Sequence, residues 1–538
     1  MMEQGSAIRR LGAAFGSAAK QFVRRFTLSK AGGVALIFGL SFIPLSMLTL
    51  CAIDFHRAST VRMALQDALD AASLAAARTQ SATTTAQIQT IGANVMAANM
   101  QTFNDTVITT TTFTLSGDGT VTAHAAADVT PLVANMFLGG PMQVGADSVV
   151  KRASKSLEVA MVLDTTGSMS GSRITDLKSA ANDLIDLVVQ AVQTPHYSKI
   201  AIVPYSQAVN AGTYVTTARG AIDANSTLIT GATKANPVVI TANGHGRAVG
   251  DKIYITGVSG MTQLNGKVYT ISAKTTNTIT LQGINGTSYS TFSGSGGRVY
   301  CASPGCQYYG YTAADGSAQV QQVSNCVTER TGTNAYTDVA PSTALVGRNY
   351  PDSGNPCITQ TFTPLTADKT ALHNVITGLS ASGSTAGQIG IAWGWYMLSP
   401  NWGSLWPSSV NRPAAYGADE LIKVAIIMTD GEFNTNYCNG VIAKDAASGS
   451  GASSTHNNCN GTNGSAFSQG IALCNAMKAK GIIVYTVGFD VGSDASAQNL
   501  VNSCATDAQH VYQPSTGTAL KDAFRSIAND IMKLRIAS

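Results

Sequence analysis

The sequence predicts an α/β protein with a doubly wound, mostly parallel sheet, interrupted by a small all-β insertion and preceded by an N-terminal transmembrane helix. Three observations carry this. From residue 155 to the end, short apolar runs (LEVAMVL, SKIAIVPYS, ELIKVAIIMTD, GIIVYTVGF) alternate with segments of helical spacing (RITDLKSAANDLIDLV, GQIGIAWGWYML, FSQGIALCNAMKAK, ALKDAFRSIANDIMKL), as strands buried by crossover helices do. Residues 228–298 break the alternation with short β-rich pieces, PVVITA, DKIYITGV, KVYTISA and TITLQGI, separated by glycine and asparagine turns. Between Lys30 and Asp54 lie 23 residues without a charge.

The elements follow in chain order. Residues 1–30 hold Arg9, Arg10, Lys20, Arg24, Arg25 and Lys30 against Glu3 alone, so this arm accounts for more than the whole net charge of +4 and the rest of the chain, 28 basic against 29 acidic residues, is near neutral. No basic groove for nucleic acid is implied. Residues 31–53 are long enough to span a bilayer, and Pro44 is tolerable there. The basic flank on the amino side places residues 1–30 in the cytoplasm and the bulk of the chain outside, in the periplasm or at the cell surface. A cleaved signal peptide is the competing reading, but the run is long and no A-x-A pattern ends it. Residues 54–152 begin with an Ala- and Leu-rich stretch that extends the membrane helix, then turn Thr- and Val-rich around GDG, a hairpin signal. A helix leading into a small sheet is the outline of a pilin-like unit.

Residues 32–78, GGVALIFGLSFIPLSMLTLCAIDFHRASTVRMALQDALDAASLAAAR, resemble the amino-terminal segment of the TadE/TadG-like proteins of Tad (Flp) pilus assembly. The resemblance covers the apolar run, Asp54 and Arg57 after it, and the Ala-rich tail. It implies a bacterial inner-membrane protein with pilus assembly proteins or pilin subunits as partners. Prepilins are cut after a glycine that a glutamate follows near the new fifth position, and Gly33 departs from that pattern.

In the α/β region, 155–538, LDTTGSMSGS lies between the strand LEVAMVL and a helix whose Ile174, Leu177, Ala181, Leu184, Leu187 and Val188 fall on one face. Asp164, Thr166 and Ser168 stand two residues apart on this loop, a carboxylate and two hydroxyls suited to a hard divalent cation. Thr385 precedes another helix and Asp430 ends the strand KVAIIMTD, so both reach the strand ends where open α/β sheets place their sites. This constellation resembles the metal-ion-dependent adhesion site of the von Willebrand factor A domain. The family's D-x-S-x-S loop is matched by Asp164, Thr166 and Ser168, its threonine by Thr385 and its T-D-G aspartate by Asp430; Thr166 replaces a serine and keeps the hydroxyl. The resemblance implies Mg²⁺, or Mn²⁺, with one coordination position open for an acidic residue of a partner, and no catalysis.

Two other readings of the loop compete. GSMSG, residues 167–171, invites comparison with the G-x-S-x-G nucleophile elbow, with Asp430 and His510 following in hydrolase order. An elbow serine stands directly after its strand, whereas Ser170 lies seven residues beyond Leu163. The plainer alternative is a solvated turn whose Asp and Ser cap the helix.

Residues 299–360 form a Cys- and Gly-rich loop. Eight of the nine cysteines lie beyond the membrane segment, and their even number in an exported region reads as disulfides. Zinc is the rival, but no C-x-x-C pair exists. The insertion looks like the β-rich module beside the first catalytic half-domain of ubiquitin-activating enzymes and in some phage tail proteins, a likeness that carries no activity. His245 reads as a turn residue, and Trp393 and Trp395 as packing. The chain is expected to be a membrane-anchored, metal-dependent binding or scaffold protein of Tad-type pilus assembly or a minor pilus-associated component. A surface adhesin for a host or matrix protein is the alternative.

Overall fold

The computed structural model describes residues 30–536 apart from 80–81, 83, 104–105, 117–118, 133–139, 152–154, 295, 407 and 493, and also residues 20–21 and 23–25. Most of the basic arm expected over 1–30 lies outside the described residues. The chain divides into two compact units, Met1–Arg152 and Ala153–Ser538.

In the first unit, helix α1 (Lys30–Arg78) is continuous through Pro44. Its early part is apolar and exposed, with Ile37, Phe38, Leu40, Phe42, Ile43 and Leu45 all open to the surroundings. Among the described residues it is the one helix long and apolar enough to cross a membrane. Further on, Leu65, Leu69, Ala72 and Ala76 recur at helical spacing and are buried against α2 (Thr85–Met100) and an antiparallel sheet. That sheet runs in the order β1 (Thr106–Leu115), β2 (Thr120–Val129), β3 (Met142–Lys151). The helix extension and the hairpin around GDG are thus both present. Thr84 and Gln87 close a capping box at the start of α2. Gly92 lets this helix approach the sheet, because a Cβ there would stand 2.6 Å from the Phe113 ring.

The second unit is built on a six-stranded sheet of β4 (Ser156–Asp164), β5 (Ser198–Tyr205), β6 (Thr363–Thr366), β7 (Leu421–Thr429), β8 (Ile483–Gly488) and β9 (Val511–Tyr512). Their order in space is β6-β5-β4-β7-β8-β9, parallel throughout except for the antiparallel edge strand β6. This is the doubly wound, mostly parallel sheet the sequence predicts. Val159, Met161 and Leu163 point to one face, and Ala160 and Val162 to the other. Both faces are buried, which is why these strands read as unbroken apolar runs instead of alternating ones. Helices α3 (Ser172–Val188), α4 (Lys369–Thr377) and α8 (Gly517–Ile536) cover the first face through Leu177, Leu372 and Leu520. Helices α5 (Gly387–Leu398), α6 (Ala466–Ala479) and α7 (Ala495–Cys504) cover the second through Trp393, Leu473 and Leu500.

One helix face differs from its sequence reading. The buried stripe of α3 is Leu177, Ala180, Ala181, Leu184, Ile185 and Val188, whereas Leu187 is 40% exposed. At 100° per residue Leu187 falls roughly 90° from the stripe's centre, and Ile185 takes its place.

The β-rich insertion is a seven-stranded ladder between Ser226 and Cys301. Its outermost strands, Ser226–Leu228 and Gly231–Ala232, are neighbours in the chain, so the two edges of the ladder meet. His245 is buried in one of its turns, with Nε2 2.9 Å from the Thr275 carbonyl and Nδ1 accepting from the Arg247 amide. The eight cysteines pair as Cys301–Cys306, Cys326–Cys357, Cys438–Cys459 and Cys474–Cys504, which removes the zinc reading. The three longer loops closed this way span 21 to 31 residues. Each is worth roughly 3–4 kcal/mol in the chain-entropy account.

Helix α5 is buried on every side, and its tryptophans are packing residues: Trp393 stacks on Phe362, and Trp395 donates to the Tyr416 hydroxyl. Gly390 and Gly394 face the sheet at Tyr205 and Val162, and Gly387 faces the Phe433 ring in the loop after β7. A Cβ on Gly390 would stand 2.5 Å from Tyr205 and 3.0 Å from Val162. Gly390→Ala is therefore expected to lower stability by about 1–3 kcal/mol through overpacking, read from the urea midpoint. An unchanged midpoint would contradict so close an approach of helix and strand.

Candidate metal centre

Strand β4 delivers Asp164 to the carboxyl edge of the sheet, fully buried, and a carboxylate there must find its partners inside the protein. Its Oδ1 accepts from the Thr166 amide (2.9 Å) and hydroxyl (2.6 Å). Its Oδ2 accepts from Thr429 Oγ1 at 3.0 Å and lies 3.0 Å from the Tyr205 hydroxyl. Tyr205 is directly opposite Asp164 in the β4–β5 register, and Thr429 ends the strand on the other side.

From this carboxylate a line of oxygens runs outward. Thr166 Oγ1 lies 2.9 Å from Ser168 Oγ, which donates to Asp430 Oδ1 at 2.7 Å. Each hydroxyl has a single hydrogen. With Thr166 donating to Asp164 and Ser168 to Asp430, neither hydroxyl has a hydrogen left for the other. Adjacent ligands of an octahedral Mg²⁺, held at 2.0–2.1 Å, stand about 2.9 Å apart. The donor set, two carboxylates and two hydroxyls with no nitrogen or sulfur, fits a hard divalent cation.

Four of the five residues singled out in the sequence, Asp164, Thr166, Ser168 and Asp430, thus meet in one line of oxygens, with successive separations of 2.6, 2.9 and 2.7 Å. Thr385 is placed on the adjoining loop but is not joined to them. That loop lies against the first through Gly167 N–H to Gly383 O (2.8 Å) and Ser382 N–H to Thr165 O (2.9 Å). Thr385 donates its amide to Asn434 Oδ1, and its carbonyl accepts from the Asn434 and Thr435 amides. Among the described residues no hydrogen bond connects its hydroxyl to the other four.

Sequence reasoning missed Tyr205, Thr429, Arg173 and Asp490. Thr429 was legible as the T of T-D-G, and Tyr205 as the last residue of its strand. Arg173, in the first turn of α3, donates to Asp430 Oδ2 at 3.0 Å and to Asp490 Oδ2 at 2.5 Å. The latter contact spans 317 residues and has no local signal.

The hydrolase arrangement does not assemble. The centre of GSMSG is Met169, buried in the core, so the pentapeptide carries no G-x-S-x-G serine. Ser170 donates to the Gly167 carbonyl, and His510 pairs with Asp507 at 2.7 Å.

Electrostatics set this cluster apart. Burial first, and the Asp430 carboxylate second, push Asp164 from the usual 3.8 up to about 7, against the opposing hydrogen bonds from Thr166 and Thr429. Asp430 is also raised, by burial above all, while Ser168 and Arg173 pull it down. Elsewhere in this unit burial raises Glu329 to about 7. An acid whose folded pKa exceeds its unfolded one adds stability below the unfolded value and loses it as pH rises through the folded value. In chelator, the melting temperature should accordingly fall between pH 5.5 and 8, with each such proton contributing up to about 1.4 kcal/mol per pH unit. Asp164→Asn should flatten the decline and Glu329→Gln should remove part of the remainder; a slope unaltered by Asp164→Asn would refute the assignment.

Comparison with known proteins adds the following. Residues 32–79 match the Tad family model, Flp pilus-assembly TadE/G-like. No curated protein matches the chain by sequence. Similar solved structures include the von Willebrand factor domain of the type V pili tip protein Mfa5 from Porphyromonas gingivalis (12% identity, TM-score 0.32), covering 71% of this chain and 97% of that one. The pilus adhesin SpaC from Lactobacillus rhamnosus GG (11% identity, TM-score 0.30) covers 80% of this chain, which spans only 35% of SpaC. The PilB minor pilin from Streptococcus sanguinis (10% identity, TM-score 0.30) covers 79% of this chain and 78% of its own. Likenesses this distant bear on no residue, ligand or partner here. The chain thus carries a TadE/G-like segment over residues 32–79 ahead of a doubly wound, mostly parallel α/β domain.

Proposed function

We propose that this is an inner-membrane protein of Tad-type pilus assembly, or a minor pilus-associated component, that captures an acidic group of a pilus protein through a divalent cation. The observation that carries the reading is the all-oxygen cluster at the carboxyl edge of the sheet, in a chain that also bears a TadE/G-like segment. Asp164, Thr166 and Ser168 on the first loop and Asp430 at the end of β7 would hold Mg²⁺ or Mn²⁺, with Thr385 contributed by the neighbouring loop. When bound, the ion supplies a coordination position for a carboxylate that the protein itself leaves unfilled.

The residues around the cluster fix its geometry. Tyr205 and Thr429 orient Asp164, and the backbone bonds of Gly383 and Thr385 hold the second loop against the first. In this reading the domain is a binder and catalyses no reaction. Helix α1 anchors it with the amino terminus in the cytoplasm and the second unit in the periplasm or at the cell surface, following the charge asymmetry of residues 1–30.

A metal that must displace the Asp164 proton binds more tightly as pH rises through about 7. Mg²⁺ affinity should therefore improve about tenfold between pH 6 and pH 8, followed by calorimetry. At a hundredfold excess over the dissociation constant the ion should add about 2.7 kcal/mol of stability to the wild type. It should add none to Asp164→Ala or Asp430→Ala.

Retention of pilus components from solubilised membranes should require both Mg²⁺ and Asp164. Retention of the same proteins in EDTA and by Asp164→Ala would move the contact away from this loop. Retention of host or matrix proteins in place of pilus components would favour the adhesin.

A further inference from the structure

Arg173 is the one cation among the described residues in hydrogen-bond contact with the proposed ligands, and its placement is specific. It follows the loop of Asp164, Thr166 and Ser168 directly, and its guanidinium bridges two carboxylates from two strand ends: Asp430 after β7, at 3.0 Å, and Asp490 after β8, at 2.5 Å. Its two partners differ in access to water. The Asp430 side chain is 1% exposed, that of Asp490 44%, and Arg173 itself 32%. Each oxygen of Asp430 is engaged once, Oδ1 by Ser168 and Oδ2 by Arg173. A divalent ion that reaches Ser168 and Asp430 would therefore arrive where a positive charge already stands.

We propose that Arg173 is an affinity-setting residue of this site, a tethered cation that holds Asp430 when metal is absent and is displaced from it when metal binds, while keeping its contact with Asp490. This rests on the metal reading above. Without any counter-charge, Asp164 and Asp430 would face each other as two buried like charges, which a folded protein tolerates poorly. The guanidinium supplies that charge in the metal-free state. Its fork can hold one carboxylate with each terminal nitrogen, so that releasing Asp430 does not release the side chain. The exposed Asp490 contact serves as the pivot, because it lies where the side chain can turn toward water. Metal binding is then an exchange of one cation for another, and it is weaker than it would be at the same four oxygens without the arginine.

The test is Mn²⁺ titration by calorimetry on the full chain in detergent, comparing wild type, Arg173→Gln and Arg173→Lys, with melting curves in chelator. Arg173→Gln should bind Mn²⁺ at least tenfold more tightly than wild type and melt lower in chelator. Arg173→Lys keeps the charge but cannot span both carboxylates, so it should fall close to Arg173→Gln. Wild-type or weaker affinity in Arg173→Gln would overturn the proposal and leave the metal reading standing. Tight binding by Arg173→Gln with Arg173→Lys equal to wild type would also overturn it, since the effect would then be the field of a nearby charge without exchange. Absence of Mn²⁺ binding in all three proteins would overturn this inference together with the metal reading.

Discussion

A carboxylate without access to water depends on its hydrogen bonds, and those of Asp164 tie three parallel strands together at one point. The partners are Thr166 on its own loop, Tyr205 at the end of β5 and Thr429 at the end of β7. Tyr205 can stand there because Gly390 presents no side chain to its ring. The glycine stripe of a fully buried helix, the register of the sheet and the orientation of a single acid are thus one constraint. Burial, with Asp430 as its neighbour, raises the pKa of the same acid to about 7.

Much of this was legible in the sequence. Strands buried on both faces announce themselves as apolar runs, so the alternating architecture from residue 155 onward could be read directly. The spacing of Asp164, Thr166 and Ser168 needed only a strand before it and a helix after it. Asp430 needed only the end of a strand known to lie in the same sheet, and parallel strands bring all their carboxyl ends to one edge. Thr385 marks the limit. Its loop is positioned by backbone bonds to Gly167 and Asn434, and nothing local to Thr385 says where its hydroxyl goes. Arg173 was equally hidden, because an arginine at the start of a helix gives no hint of partners 257 and 317 residues away. Leu187 shows a smaller failure of the same kind, where a helical stripe drawn from spacing alone was displaced by one neighbour.

The long polar loops around the sheet pose a different physical problem. With charged residues at only 12% of the chain, they cannot be held by ion-pair networks, and their Gly, Ser and Asn content makes ordering them costly in entropy. Covalent closure answers this. Cys326–Cys357 and Cys438–Cys459 staple the two loop regions, and side-chain amides finish the work: Asn355 donates to the Ser450 carbonyl while its own oxygen accepts from the Ser384 amide, next to Thr385. Residues 299–360, where the structure has the short strands Tyr308–Thr312, Ala318–Gln322, Cys326–Thr328 and Gly347–Arg348 in place of the single long loop the sequence predicts, thereby become part of the support of the site's second loop.

The β-rich insertion leaves and rejoins its host at one place. Its first and last strands pair with each other, Ser226 opposite Tyr300, so the host chain sees a gap no wider than the distance between neighbouring strands. An interruption with that geometry asks nothing of the sheet that carries it. It behaves as a cassette, and a lineage could gain it, lose it or exchange it for another module in one recombination event while the strands, helices and oxygen cluster of the host kept their places.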